Sequence, residues 1–359
     1  MWWRRLIAIG LIVAYIAGQG QWAWRAVSRG AHGRDYATYH YALKAAVDGQ
    51  DPYNTRDLSR RAKDEGERRA VHPYFYPPPF LWGVLWAAPM GLHDAYKVWF
   101  FINQALLVGT LWVLRRWTGV GWLSLGAIAV TLSPIGDSVK MGQANQLVLL
   151  LMCVGLWRTS GLWLSAAAMA KMSPALLLAW WGTRHQWRPV LFAVLGAVGL
   201  SVLTLPLVGF DQQINFYQNI LPGFSDGDYH GLKIPVTLPG NHSIPDVYNQ
   251  IWPGPTKHRL SGTGQRLSAL TSLALLVGLC VVGRTRRDAI GDACLAGAFT
   301  VLLVITPAYT YEHHFAFLLL PAVAVVAAVQ GQRLPRWGVP LAVASYFFVA
   351  WPLNSLRWA

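Results

Sequence analysis

Long apolar runs separated by short polar breaks make up most of the chain. They lie at Leu6–Trp24, Pro79–Leu92, Tyr96–Leu114, Trp122–Leu132, Leu147–Trp157, Leu162–Trp181, Val190–Val208, Leu267–Val282, Ala289–Ile305, Phe315–Val329 and Val339–Leu353. A helix needs roughly 20 apolar residues to cross the hydrocarbon of a bilayer, so these runs predict an all-α, polytopic membrane bundle of about 11 spans, within 10 to 12. Several runs are short, and the path around Ser133–Gln146 reads as broken or re-entrant, which irregular backbone tolerates only against protein or a wet cavity. Two polar stretches, residues 25–78 and 209–265, leave the bilayer as long loops. The first carries interfacial helices, one of them opened by Asp35, the first carboxylate in the chain. Residues 1–359 therefore read as one transmembrane domain.

Composition agrees with the pattern. With 54% apolar residues, 19 Trp and 13% charged residues, a chain of 359 residues is too hydrophobic for a soluble domain. The net charge of +14 is spread in ones, twos and threes between apolar runs, which excludes a nucleic-acid-binding domain and fits orientation signals and anionic lipid. Placing the N-terminus in the cytoplasm puts Arg4, Arg5, Lys97, Lys140, Arg184, Arg188, Arg284, Arg286, Arg287, Arg333 and Arg336 on that side. Arg115, Arg116, Arg158 and Arg357 then fall on the other, and both long loops face the exterior. The first run follows Arg4 and Arg5 but ends at no small-residue cleavage site, so it reads as a retained span. Cys153, Cys280 and Cys294 all sit in apolar stretches without metal-ligand spacing and imply packing.

Polar groups at membrane depth are expensive and mark candidate sites. Asp35 with Tyr36 stands at the mouth of the bundle, where a lone carboxylate suits a general base; an N-cap is the bland alternative. Lys171 sits mid-run, either snorkelling or serving an anion. Gln143 and Asn145, beside Asp137 and Lys140, form an unusually polar hinge that reads as a wet cavity wall. Glu312-His313-His314 suggests metal at first sight, yet neighbouring residues on a helix point about 100° apart, and no Asp or Cys completes a ligand set. Anion or substrate binding suits the two histidines better, and Asn241-His242-Ser243 in the second loop joins the candidates. No metal and no cofactor are expected.

The order of these residues carries a resemblance. Asp35-Tyr36, Gly49-x-x-Pro52-Tyr53, Tyr76-Pro77-Pro78, Gly142-Gln143-x-Asn145, Lys171-x-x-Pro174, Asn241-x-Ser243 and Pro307 followed by His313-His314 together resemble glycosyltransferase family 87 across almost the whole chain. The resemblance implies a membrane glycosyltransferase of the GT-C type with an exterior cavity. It implies a polyprenyl-phosphate-linked hexose donor, with mannose as the sugar, and a lipid or glycolipid acceptor. The catalytic base falls on Asp35. His313, His314, Lys171, Gln143, Asn145, Tyr36 and Asn241 are the candidate contacts to donor phosphate or substrate. This chain departs from the family pattern at Thr306-Pro307, Tyr309 and Tyr311, which leaves open which histidine meets the donor. The expected location is the plasma membrane, multi-pass, with the active site on the exterior side. A lipid or sugar transporter or flippase is the rival reading. It would share the span count, but the two halves show no inverted repeat in hydropathy.

Overall fold

A computed structural model of the chain describes residues 2–28, 31–68, 71–226, 228–229, 232–233, 236, 240–256, 259–285 and 287–350. Arg286 and Arg357 lie outside them, as does the end of the run Val339–Leu353.

The architecture is helical. A long α1 (Trp2–Ser28) leads to α2 (Arg34–Val47) and α3 (Thr55–Asp64) in the first polar stretch, then to the single turn α4 (Phe80–Gly83) and the long α5 (Leu92–Thr118). Next, α6 (Trp122–Thr131) and α7 (Ser133–Met141) meet at a bend of 62°. They are followed by α8 (Asn145–Arg158), α9 (Gly161–Ala170) and α10 (Leu177–Thr183). The helix α11 (Trp187–Asn215) contains Pro206 and kinks at Gly209, whose φ of 76° suits glycine; a π-helical turn joins it to α12 (Leu221–Asp226). After a two-residue antiparallel hairpin, β1 (Asp228–Tyr229) with β2 (Leu232–Lys233), come α13 (Ile244–Ile251), α14 (Gly262–Val282) and α15 (Ala289–Ile305). A 3₁₀ turn, Glu312–Leu318, feeds α16 (Leu319–Gln330), and α17 (Gly338–Ala350) closes the described chain.

Among the described residues five helices are long and apolar enough to cross a membrane, or six if the bent α6–α7 pair is one crossing. They are α1, α5, Trp187–Gly223, α14 and Glu312–Gln330. The helices α8, α9, α15 and α17 are apolar but shorter. On α11 and α14 the outward side chains are large and apolar, Leu191, Leu195, Val202, Leu270 and Val277 among them, as a lipid-facing surface requires.

Contacts between helices define two ends of the bundle. Trp22 near the end of α1 donates to Tyr96 near the start of α5, and Tyr15 bonds Gln104 further along, so α1 and α5 run antiparallel. Tyr96 in turn packs on Tyr36 of α2, which places the start of α5 at the end where Asp35 lies. At the opposite end Trp112 meets Trp157, and Arg115 lies over Trp122. There too, Arg184 binds the Gly283 carbonyl and Asp292, and Arg333 pairs with Asp288. Gly161 packs so closely on Pro189 that a Cβ would lie 2.0 Å from its carbonyl oxygen, joining these groups at one end.

This geometry corrects the assignment of sides. Lys97 and Lys140 lie at the Asp35 end, whereas Arg115, Arg116 and Arg158 join Arg4, Arg184, Arg284 and Arg333 at the other. Two runs account for the difference. Residues 79–92 begin beside Tyr39, through Phe80, and end beside Tyr36, through Tyr96, so they fold back instead of crossing. The run Leu162–Trp181 rises to Lys171 and returns, with Gly161 and Arg184 both at the basic end. Removing the first crossing inverts every side after Leu92, and removing the second restores the order from Arg184 onward.

The α2 N-terminus rests directly on the turn after α7. A Cβ on Gly33 would lie 2.3 Å from the Met141 carbonyl oxygen, and one on Gly142, at φ +71°, would lie 2.6 Å from the Tyr36 Cβ. Only glycines permit this approach. Gly33→Ala forces backbone against backbone and is expected to destabilise the protein by about 1–3 kcal/mol, read as a lowered unfolding temperature in detergent. Unchanged stability would show that α2 can move without penalty.

Candidate functional site

A cavity of about 780 Å³ opens at the Asp35 end. Its wall comes from the start of α2, residues 72–77, the α7–α8 turn, the break after α9, and the chain from Leu303 to Phe317. Arg34, His72, Lys171, His313 and His314 line it, and Asp35 is the one carboxylate among its described lining residues. The remaining surface is largely apolar and aromatic.

Asp35 occupies the first turn of α2, where the helix dipole favours a carboxylate, but its side chain makes no cap and turns to the cavity instead. There the Gln143 side-chain amide donates to Asp35 Oδ2 at 2.5 Å. Burial pushes the Asp35 carboxyl above its ordinary value, while His72, the Gln143 hydrogen bond, Lys171 and Arg34 pull it back. The net direction is upward, which makes the group a stronger base than a surface aspartate.

The Gly142–Asn145 turn gathers the remaining polar groups. The Gln143 amide nitrogen also lies 3.2 Å from His313 Nε2. Asn145 donates to the His313 carbonyl at 2.9 Å and accepts from Lys171 Nζ at 2.9 Å. Lys171 caps α9 in an extended conformation (φ −159°), so the helix stops at Ala170 and the side chain lies in the cavity wall, its ammonium held by Asn145 at the start of α8. The ammonium also stands 5.6 Å from the centre of the Phe317 ring. The His314 Nδ1 accepts the Tyr311 backbone N–H at 3.1 Å, which leaves its Nε2 to carry the proton. With an amide donor facing its Nε2, His313 carries its own proton on Nδ1. The two rings, 4.3 Å apart and near perpendicular, are thus opposite tautomers. Among the described residues no group of three His, Cys, Asp or Glu could hold a metal ion.

Asp35, Gln143, Lys171, His313 and His314 thus meet at one cavity, with Asn145 buried behind it. The other two candidates sit elsewhere. Tyr36 turns its ring into the core between Tyr96 and Trp99, outside the cavity wall. Asn241 is wholly buried and ties loop to loop, donating to the Val236 and Ala308 carbonyls and accepting from the Thr310 and Ser243 N–H groups. It braces the strand of chain that leads to His313. Conversely, Tyr39, Arg34 and His72 line the site although the sequence pattern does not single them out, and Tyr76 enters that pattern only as part of a motif. Tyr39 is legible in principle, one helical turn after Asp35 on the same face. His72 carries no signal within its charge-rich stretch.

A profile of glycosyltransferase family 87 matches residues 74–307. No curated protein and no solved structure matches the chain. The matched segment contains Gln143, Asn145, Lys171 and Asn241, and ends just short of His313; Asp35 lies before it. Both outlying residues are hydrogen-bonded to Gln143, inside it. With well over half of its length matched, the chain belongs to glycosyltransferase family 87.

Proposed function

We propose that this glycosyltransferase moves a hexose, mannose in our reading, from a polyprenyl-phosphate-linked donor to a lipid or glycolipid acceptor. The observation that carries the proposal is the convergence of one carboxylate, Asp35, with Lys171, His313 and His314 on a single cavity. A phosphate leaving group departs without protonation if cationic and N–H donors receive its charge, and Lys171 with the two imidazoles supplies such donors. The apolar wall of Met141, Met172, Leu176, Leu221, Leu303 and Phe317 suits a polyprenyl chain. Asp35 accepts the acceptor's hydroxyl proton as that oxygen bonds the anomeric carbon. The bond from this carbon to the phosphate oxygen breaks, and its electron pair leaves with the phosphate. One displacement inverts the anomeric configuration, as in inverting glycosidases.

We infer the side of the membrane from the charge of the short connections between helices. The end opposite the cavity carries Arg4, Arg115, Arg116, Arg158, Arg184, Arg284 and Arg333, and basic segments stay in the cytoplasm. The cavity then opens on the exterior face of the plasma membrane. With the α6–α7 pair, α8, α15 and α17 counted as crossings beside the five long helices, and α9–α10 as a re-entrant pair, the chain traverses nine times, fewer than the run count of about 11. A membrane-impermeant maleimide applied to intact cells is expected to label Lys63→Cys in α3 and to spare Arg284→Cys beyond α14. The reverse pattern would place the cavity in the cytoplasm.

The base assignment makes linked expectations for Asp35→Asn and for the parent. Transfer falls at least about 10²-fold, because proton removal from the acceptor is lost. The parent's product has the opposite anomeric configuration to the donor. The variant unfolds at the same or a higher temperature: a carboxyl whose folded pKa is raised loses stability as pH climbs from its unfolded value through its folded one, so the ionised group burdens the fold at neutral pH. The same upward shift puts the acid limb of the parent's pH–rate profile above the usual aspartate value of about 3.9. Parent-like turnover by Asp35→Asn, or retention of configuration, would transfer the role to Glu312 or to a two-step route.

A further inference from the structure

Both N–H donors of the Gln143 amide are engaged within the protein. A side-chain amide offers two N–H donors and an oxygen with two lone pairs. Here the nitrogen faces Asp35 Oδ2 at 2.5 Å and His313 Nε2 at 3.2 Å, and the oxygen lies 2.7 Å from the Tyr76 hydroxyl and 3.2 Å from that of Tyr39. The amide's orientation is forced, since an ionised carboxylate only accepts and must therefore face the nitrogen. Tyr39 has one hydroxyl proton, and the nearer acceptor for it is the Tyr76 oxygen at 2.6 Å, so the donors run in one direction, from Tyr39 through Tyr76 and Gln143 to Asp35. Both tyrosines are braced in turn. Tyr39 packs edge-on against Tyr76 and Phe80, each with ring centres 4.8 Å away, and Tyr53 donates to the Tyr76 carbonyl at 3.0 Å.

We propose that Gln143 is a positioning residue for the transfer step: locked in one orientation by Tyr39 and Tyr76, its amide holds the Asp35 carboxylate and the His313 ring at a fixed separation. The inference rests on the reading of Asp35 as the base. In-line displacement needs the acceptor's proton taken on one side of the anomeric carbon while the phosphate leaves on the other. A single rigid group that binds both the base and a donor-side residue sets that span. Asn145, two residues on, fixes the main chain of His313 through its carbonyl, so one turn grips the histidine twice. The glycine contacts between Gly33, Gly142 and Tyr36 hold this turn against α2.

Releasing the amide has two consequences that a merely structural residue would not produce together. Asp35 loses a donor that favours its ionised form, so its carboxyl rises further and the acid limb of the pH–rate profile moves to higher pH. Base and histidine also lose their common anchor, which lowers kcat by about 10- to 10²-fold and leaves the donor KM near the parent's, because donor-binding groups other than His313 are untouched.

The test uses the full-length protein in detergent, radiolabelled polyprenyl-phosphate mannose as donor and a total membrane lipid extract as acceptor. Gln143→Leu, close in shape and without polar atoms, is expected to show the lowered kcat, the raised acid limb and an unmoved donor KM. Tyr76→Phe frees one corner of the amide and is expected to shift the limb in the same direction by less; it decides the matter should Gln143→Leu fail to fold. Parent-like rate and limb in the folded variants would overturn the inference, as would a raised donor KM with an unmoved limb, which would make Gln143 a substrate ligand. Asp35→Asn, assayed alongside, separates the two claims. If it is inactive while Gln143→Leu runs like the parent, only the positioning role fails; if it is active, the base assignment fails first.

Discussion

A carboxylate enclosed by an apolar bundle must be met by donors, or it takes up a proton and ceases to be a base. The contact between Asp35 and Gln143 meets that requirement, and much of the surrounding structure serves it. The two residues come from distant parts of the chain, and they touch because Gly33 and Gly142 allow α2 to lie on the turn after α7. The broken course of α6 and α7 brings that turn to the cavity, where a straight helix would have carried it past. Burial and hydrogen bonding then oppose each other at Asp35, which leaves a carboxyl that is raised yet still favoured as an anion by four neighbours.

The electrostatic layout joins fold to chemistry. Of the candidate groups at the cavity, the cationic and N–H donors, Lys171, His313 and His314, come from the break after α9 and the turn before α16, while the acid comes from α2. Acid and donors are therefore on separate elements, bridged by Gln143 and Asn145. Such an arrangement suits a reaction in which one substrate gives up a proton and the other gives up a phosphate. At the opposite end the arginines pair with Asp288, Asp292 and backbone carbonyls, so the charges there hold loops together as well as orienting the chain.

Much of this is legible in the sequence. Hydropathy periods announce the bundle, and the rarity of charge inside apolar runs singles out Lys171, while the isolation of Asp35 and the doubling of His313 and His314 mark the rest. What the sequence conceals is direction. Residues 79–92 and Leu162–Trp181 have the composition of crossings, and only their tertiary contacts reveal that they turn back; hydropathy measures how much a segment avoids water, not where its ends go. Tyr36 and Asn241 illustrate a related limit. Each is polar and sits in a motif, yet one packs its ring into the core and the other braces a loop, because residue type alone does not tell whether a buried side chain faces a ligand, the core or a neighbouring loop. Tyr39 and Tyr76 are hidden for the opposite reason: tyrosines near a membrane interface are common, and their role arises from an amide more than 60 residues away, with separations of 104 and 67 positions.

The central claim is that base and donor phosphate occupy opposite sides of one cavity. It is tested most directly by a cryo-electron microscopy structure with a non-transferable polyprenyl phosphonate hexose bound. The account predicts the phosphonate oxygens within hydrogen-bonding distance of Lys171 and at least one of His313 and His314, with the anomeric carbon turned toward Asp35. A phosphonate seated against Asp35, or a hexose bound outside the cavity between α2 and the turn before α16, would contradict it.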